Sequence, residues 1–267
     1  MKADVVIPTW NSMPEFKRCL QSIDKNIPPD VVDKVIVVDR SSTDGTVETA
    51  KKHGCIVIND EISLGSARMR GWEAATSDVI LFVDSDIEIR PGWYPGIIRY
   101  WDDDVGMLFG RTVDSSKYGK IKEYKIERDF GDADFRLLNV GDRGFTHNTF
   151  VRRRLLKGLD ISWANAWEDY VITQHVLGQG YMVVETRDVV THLHDEVASA
   201  KVAWNIQGIL NVKGSFVYAL GFWNYYLWEG LRSAVHFRDV DMLRWGFLNW
   251  LEGFRAFGSK NARRHDD

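Results

Sequence analysis

Four apolar runs near the start of the chain, Asp4 to Pro8, Lys34 to Val38, Cys55 to Asn59 and Val79 to Val83, read as strands set off by polar and turn-forming residues. Met13 to Ile27, Thr46 to His53 and Ser66 to Ala75 lie between them and have helical character. This alternation predicts βαβ units and a parallel sheet whose strands end on one shared edge. Open sheets bind ligands outside the carboxyl ends of their strands. Thr9-Trp10-Asn11, Asp39 to Asp44 and Asp84-Ser85-Asp86 are expected to converge there.

Beyond Pro91 the pattern loosens. Val105 to Thr112 reads as a strand, Lys117 to Gly131 as a charged amphipathic stretch, and Phe145 to Phe150 as a short strand. Arg152 to Lys157 begins a basic helix, and Trp167 to Leu177 is a helix opened by Glu168 and Asp169. Tyr181 to Glu185 and Asp188 to Thr191 are late strands delivering His192-Leu193-His194-Asp195. From Val202 to Phe257 the chain is aromatic and aliphatic with basic punctuation, and Gly214 to Trp228 holds fifteen residues without a charge. A bilayer span needs about 20 apolar residues. Two or three helices are expected, with Gly230, Gly246 or Gly253 as breaks; they would form a packed cap, a homo-oligomer interface or a peripheral membrane contact. The pattern thus predicts an α/β fold, a mostly parallel central sheet flanked by helices over 1–200, with an aromatic-rich helical appendage over 201–267.

The 34 basic and 38 acidic residues give a net charge of -4, which makes no global case for a nucleic-acid partner. Cys19 and Cys55 have no metal-ligand spacing and read as reduced core thiols. Five of the eleven Trp lie from Trp204 onward, which sets the C-terminal part apart. The first strand begins without a charged leader and apolar stretch, so a cytoplasmic site is expected, at the inner face of the cell membrane if the last helices touch lipid.

Asp84 and Asp86, one residue apart at a strand tip, suit a hard divalent cation that shares its coordination with phosphate oxygens. They equally suit a turn in which carboxylates bind backbone. Glu168-Asp169 is a candidate acid–base pair or a simple complement to a helix dipole. Neither G-x-G-x-x-G nor G-x-x-x-x-G-K-[ST] follows the first strand, which weakens dehydrogenase and P-loop readings.

Together, the first strand, Val38 to Thr46, Leu64 to Gly71 and Phe82 to Asp86 strongly resemble the family 2 glycosyltransferases of GT-A fold, over roughly residues 3 to 195. The resemblance implies an inverting enzyme that takes a nucleotide-diphosphate sugar and uses Mn2+ or Mg2+. On the donor side it implies Pro8, Thr9, Trp10, Asn11, Asp39, Asp44, Gly65, Ala67, Arg68, Asp84 and Ser85, with Arg68 either touching the diphosphate or forming an ion pair that positions Asp84 or the turn. Arg40 stands where the family commonly has a second Asp, and would reach a phosphate or face solvent. Asp86 would bind the metal with His194 or His192. Asp169 would be the base, and Glu168 would hold an acceptor hydroxyl or a neighbouring backbone group. Thr146 and His147 align with the acceptor segment, and Trp163 and Trp167 would stack on a sugar or pack on the sheet. A glycan, lipid-linked or polyprenyl-phosphate acceptor matches the aromatic C-terminal part. Two other functions stay open, a sugar-phosphate nucleotidyltransferase and a catalytically silent sugar-binding module.

Overall fold

Strand β1 (Ala3–Thr9) shows why the early runs are apolar throughout: Ala3, Val5 and Ile7 enter one core and Val6 enters another on the opposite face of the sheet. Strand β4 (Val79–Val83) does the same, with Val79, Leu81 and Val83 on one side and Ile80 and Phe82 on the other. The computed structural model describes residues 1–193 and 201–255. Strands β2 (Val32–Asp39) and β3 (Ile56–Asn59) join β1 and β4 in the order β3-β2-β1-β4, all parallel.

Helix α1 (Glu15–Asn26) buries Phe16, Cys19, Leu20 and Ile23, spaced to fall on one helical face, in the first core. Helix α2 (Thr46–Lys52) links β2 to β3. Helix α3 (Leu64–Ala74) covers the second face; a Cβ on its Gly71 would lie 2.2 Å from Val6 Cγ1, so the missing side chain lets the helix sit close on β1.

After β4 come a two-residue strand, β5 (Ile87–Glu88), helix α4 (Trp93–Ile98) and strand β6 (Val105–Asp114). Helix α5 (Gly119–Phe130), strands β7 (Phe135–Leu137) and β8 (Asn148–Arg152), helix α6 (Glu168–Gly178) and strand β9 (Met182–His192) follow. The sheet continues β8-β6-β9-β5, with antiparallel β4–β8, β8–β6 and β9–β5 pairs and β7 paired to β9. The parallel arrangement holds for the first four strands, and the whole sheet is mixed.

Three local expectations differ. The strand expected from Phe145 begins only at Asn148, which leaves Thr146 and His147 in a loop. The basic helix at Arg152 is a single 3-10 turn, Arg153–Leu156, following the end of β8. The two late strands are one, because β9 pairs along its length with several partners.

The chain forms two compact units, residues 1–113 with 130–193 and residues 114–129 with 194–267. The segment 114–129, expected within the first domain, therefore clusters with the C-terminal helices. These are α7 (Lys201–Lys213), α8 (Phe216–Phe237) and α9 (Asp241–Gly253). Gly230 and Gly246 do not break helices. A Cβ at Gly230 would lie 2.7 Å from the Gly246 Cα, and one at Gly246 would lie 2.6 Å from the Tyr226 carbonyl oxygen. They are the point where α8 and α9 touch backbone to backbone.

Candidate active site

Three of the four parallel strands, β2, β3 and β4, lead into carboxylates at their C-terminal ends. Asp39, buried at the end of β2, accepts hydrogen bonds from Thr9 Oγ1 at 2.8 Å, Ser42 N at 2.8 Å and Ser42 Oγ at 2.6 Å. Asn11 N donates to Ser42 Oγ, and Asn11 Oδ1 accepts from Thr43 N. Asp44 accepts from Met13 N at 2.8 Å and from the Thr46 hydroxyl at 2.6 Å. Partial burial pushes its carboxyl upward, but the Thr46 and Met13 hydrogen bonds outweigh it and hold Asp44 below the ordinary value. Ser85 Oγ donates to Ser12 Oγ at 2.9 Å, tying the β4 tip to the same network. The Arg40 guanidinium lies 4.7 Å from the Trp10 ring centroid, so this departure from the family's second Asp makes a cation–π contact. Pro8 lies within β1, opposite Val38.

Asp60, which the sequence reading passed over, repeats the pattern after β3. It is buried and accepts from Ser66 Oγ at 2.7 Å, just inside α3, while Ser63 caps that helix through Ser66 N. The signal was available: like Asp39 and Asp84, Asp60 stands at the C-terminal end of a strand. Gly65 has a packing role visible in the geometry, since a Cβ there would lie 2.1 Å from the Ile161 carbonyl oxygen and its N–H donates to the Ala164 carbonyl. Ala67 is buried in the second core.

Arg68 connects the two halves of the site. Its side chain is 2% exposed; Nη2 donates to Asp84 Oδ1 at 2.7 Å and Nε donates to Glu168 Oε1 at 3.0 Å. Nη1 is buried with no hydrogen-bond partner among the described residues. Burial disfavours the charge, but Asp84 and Glu168 together raise the Arg68 pKa. For Glu168 burial dominates and Asp169 adds to it, so its carboxyl is raised despite Arg68. Thr146 Oγ1 lies 3.5 Å from Glu168 Oε1.

Asp169 is held by a residue that no local pattern announced. Arg143 donates from Nε and Nη2 to its two oxygens, both at 2.8 Å, and Tyr170 N donates to Oδ1 at 2.7 Å. The Arg143 guanidinium also lies 4.3 Å from the Trp167 ring centroid. Trp167, with φ 65°, sits in the left-handed region that bulky residues rarely occupy, and such strain persists only where surrounding contacts impose it. Its ring is 1% exposed and packs into the protein, so of the two expected stacking residues only Trp163, 53% exposed, presents a face to solvent. His147 is half-buried; its carbonyl accepts from Asp84 N at 3.4 Å and its ring packs on Phe145.

Asp86 Oδ2 lies 3.2 Å from His192 Nε2, brought together by the pairing of β5 with β9. His194 lies outside the described residues. No group of three His, Cys, Asp or Glu side chains gathers among the described residues. A carboxylate and an imidazole in this arrangement fit a divalent ion that takes its other ligands from a diphosphate and water. Cys19 lies beneath, its Sγ 3.5 Å from the Asp84 carbonyl oxygen; burial, then Asp86 and Asp84, push its thiol up and keep it unreactive.

Comparison with known proteins bears on the family and the fold. The profile of Glycosyl transferase family 2 matches residues 4–159, more than half of the chain. "Glycosyltransferase AglE" of Haloferax volcanii is 31% identical over 205 residues, covering 70% of this chain and 64% of that protein. The chain spans 20, 49 and 32% of the length of three further curated glycosyltransferases. Among solved structures, the mannosyltransferase PcManGT of Pyrobaculum calidifontis, in complex with GDP-Man and Mn2+, has a TM-score of 0.60 at 17% identity, covering 98% of this chain and 77% of that one. Glucosyl-3-phosphoglycerate synthase of Mycobacterium tuberculosis, with Mg2+ and UDP, has a TM-score of 0.56 at 19% identity, covering 79 and 78%. These two structures share the fold.

Proposed function

Because the chain belongs to glycosyl transferase family 2, we propose that it transfers a sugar, with inversion, from a nucleoside-diphosphate sugar to the hydroxyl or phosphate oxygen of a glycan or lipid-linked acceptor. The observation that carries this reading is the buried Arg68 bridge, which ties Asp84 at the sheet edge to Glu168 beside the candidate base. Thr9, Trp10, Asn11, Asp39, Asp44 and Ser85 line the donor side through the network that joins their loops. Residues Asp86 and His192 would hold Mn2+ or Mg2+, which when bound offsets the negative charge that grows on the departing diphosphate.

Asp169 takes the proton of an acceptor hydroxyl as its oxygen bonds to the anomeric carbon, while the bond from that carbon to the diphosphate breaks on the opposite face. Among the described residues Oδ1 accepts from Arg143 and Tyr170 and Oδ2 from Arg143 alone, so Oδ2 keeps a lone pair for the incoming proton. Arg143 holds the carboxylate oriented. Glu168, already engaged with Arg68, is left to position the acceptor together with Thr146. Asp169→Asn should lower kcat by about 10²- to 10⁴-fold and leave donor affinity intact. Unchanged turnover in that variant would remove Asp169 from the role.

A further inference from the structure

We propose that the α8–α9 hairpin is a docking face for an anionic lipid surface, lying in the plane of the membrane. On α8, Val217, Trp228, Leu231 and Val235 are exposed, and their spacing puts them on one stripe of the helix. On α9, Leu243, Phe247 and Leu251 form a second exposed stripe. The two stripes adjoin: the indole N–H of Trp250 donates to Asn224 Oδ1 at 3.2 Å between them, and Gly230 meets Gly246 just beneath. The result is one apolar, aromatic surface on a pair of antiparallel helices. Such a patch on a folded unit marks an interaction surface.

Charge identifies the occupant. Every carboxylate of the described residues 201–255 is paired inside this unit: Glu229 with Arg128, Asp239 with Lys120, Asp241 with Lys117 and Glu252 with Arg255. Glu229 and Glu252 are largely buried, and Asp239 and Asp241, whose side chains are 32 and 43% exposed, are held by their lysines. Arg232, Arg238 and Arg244 are exposed and make no ion pair among the described residues. Arg232 follows Leu231 and Arg244 follows Leu243, so helical geometry sets cations along the outer edges of the two stripes. A second copy seated on this face would bring like-charged rims together while the hairpin carboxylates are already paired within the unit. An anionic bilayer meets both features, since apolar side chains enter the acyl boundary and guanidiniums reach the headgroups. The whole unit has 14 basic against 12 acidic residues, whereas the remainder has 20 against 26, so the field turns this unit toward a negative surface. No described helix is long and apolar enough to cross a membrane, which makes in-plane seating the mode that fits.

Flotation of the full chain with phosphatidylcholine vesicles, with and without phosphatidylglycerol, tests this without needing sugar transfer. The protein should float only with the phosphatidylglycerol vesicles, and less so as salt rises. The double variant Arg232→Gln/Arg244→Gln should lower partitioning by about 25-fold, and Leu231→Ser/Phe247→Ser by tenfold or more, both at unchanged helix content. Three results would overturn the proposal: a wild-type protein that stays off anionic vesicles, variants that float as well as wild type, or a solution dimer that Phe247→Ser dissociates. A protein that floats as expected but shows no donor-induced rise in Tm would leave the docking face standing and count against the transfer reading alone.

Discussion

Replacing Arg68 by Met keeps much of the side chain's volume and removes its charge from a site where only 2% of it meets solvent. Glu168, 3% exposed, then loses the partner that donates to it at 3.0 Å. Breaking a buried pair by deleting one member costs about 3 to 5 kcal/mol, because the remaining charge is left uncompensated. Asp84 adds little, since its side chain is 36% exposed and water screens it. Urea unfolding should therefore show Arg68→Met destabilised by about 3 to 5 kcal/mol, and at about 2 to 4 °C per kcal/mol its Tm should fall by about 6 to 20 °C. Adding Glu168→Gln removes the stranded carboxylate, so the double variant should be more stable than Arg68→Met alone. A single variant within about 1 kcal/mol of wild type, or a double variant whose losses simply add, would refute the argument that these two residues form one buried electrostatic unit.

Two other outcomes follow from the same cluster. Burial raises the Glu168 carboxyl above its ordinary 4.5, so the folded state holds that proton more tightly than the unfolded chain does. The stability this group contributes is complete below 4.5 and is lost as pH rises toward the folded value, so the Tm of wild type minus that of Glu168→Gln should decline across that window; a difference that grows with pH would contradict it. Arg143→Gln removes both guanidinium hydrogen bonds that orient Asp169, so kcat should fall while donor affinity holds. An unchanged kcat would place the base elsewhere.

The first four strands and the helices between them were readable to within a few residues, because β1 and β4 are buried on both faces and so appear as unbroken apolar runs. Strands of two or three residues, such as β5 and β7, exist only through pairing with β9, and a local pattern cannot register a partner about 50 to 100 residues away. The start of β8 was misplaced because Phe145 and His147 are apolar or aromatic yet lie in a loop, where Phe145 packs on Phe109. Among the site residues, Asp39, Asp84, Asp86, Glu168 and Asp169 stood out by ending or opening elements. Arg143 did not: it lies in a polar loop, and its meaning comes from Asp169, 26 positions on. Gly230 and Gly246 misled for a related reason. Glycine reads as a helix breaker when the opposing backbone that requires it belongs to another helix.

The most direct measurement is a panel of UDP-, GDP-, dTDP- and CMP-sugars with Mn2+, followed by the rise in Tm and by nucleotide release, on wild type and Asp86→Ala. Wild type should be stabilised by one donor class and release its nucleotide when an acceptor is present, and Asp86→Ala should lose the Mn2+-dependent part of both responses. No stabilisation and no release with any donor, or release of pyrophosphate from a nucleoside triphosphate and a sugar phosphate instead, would contradict nucleotide-sugar transfer by this chain.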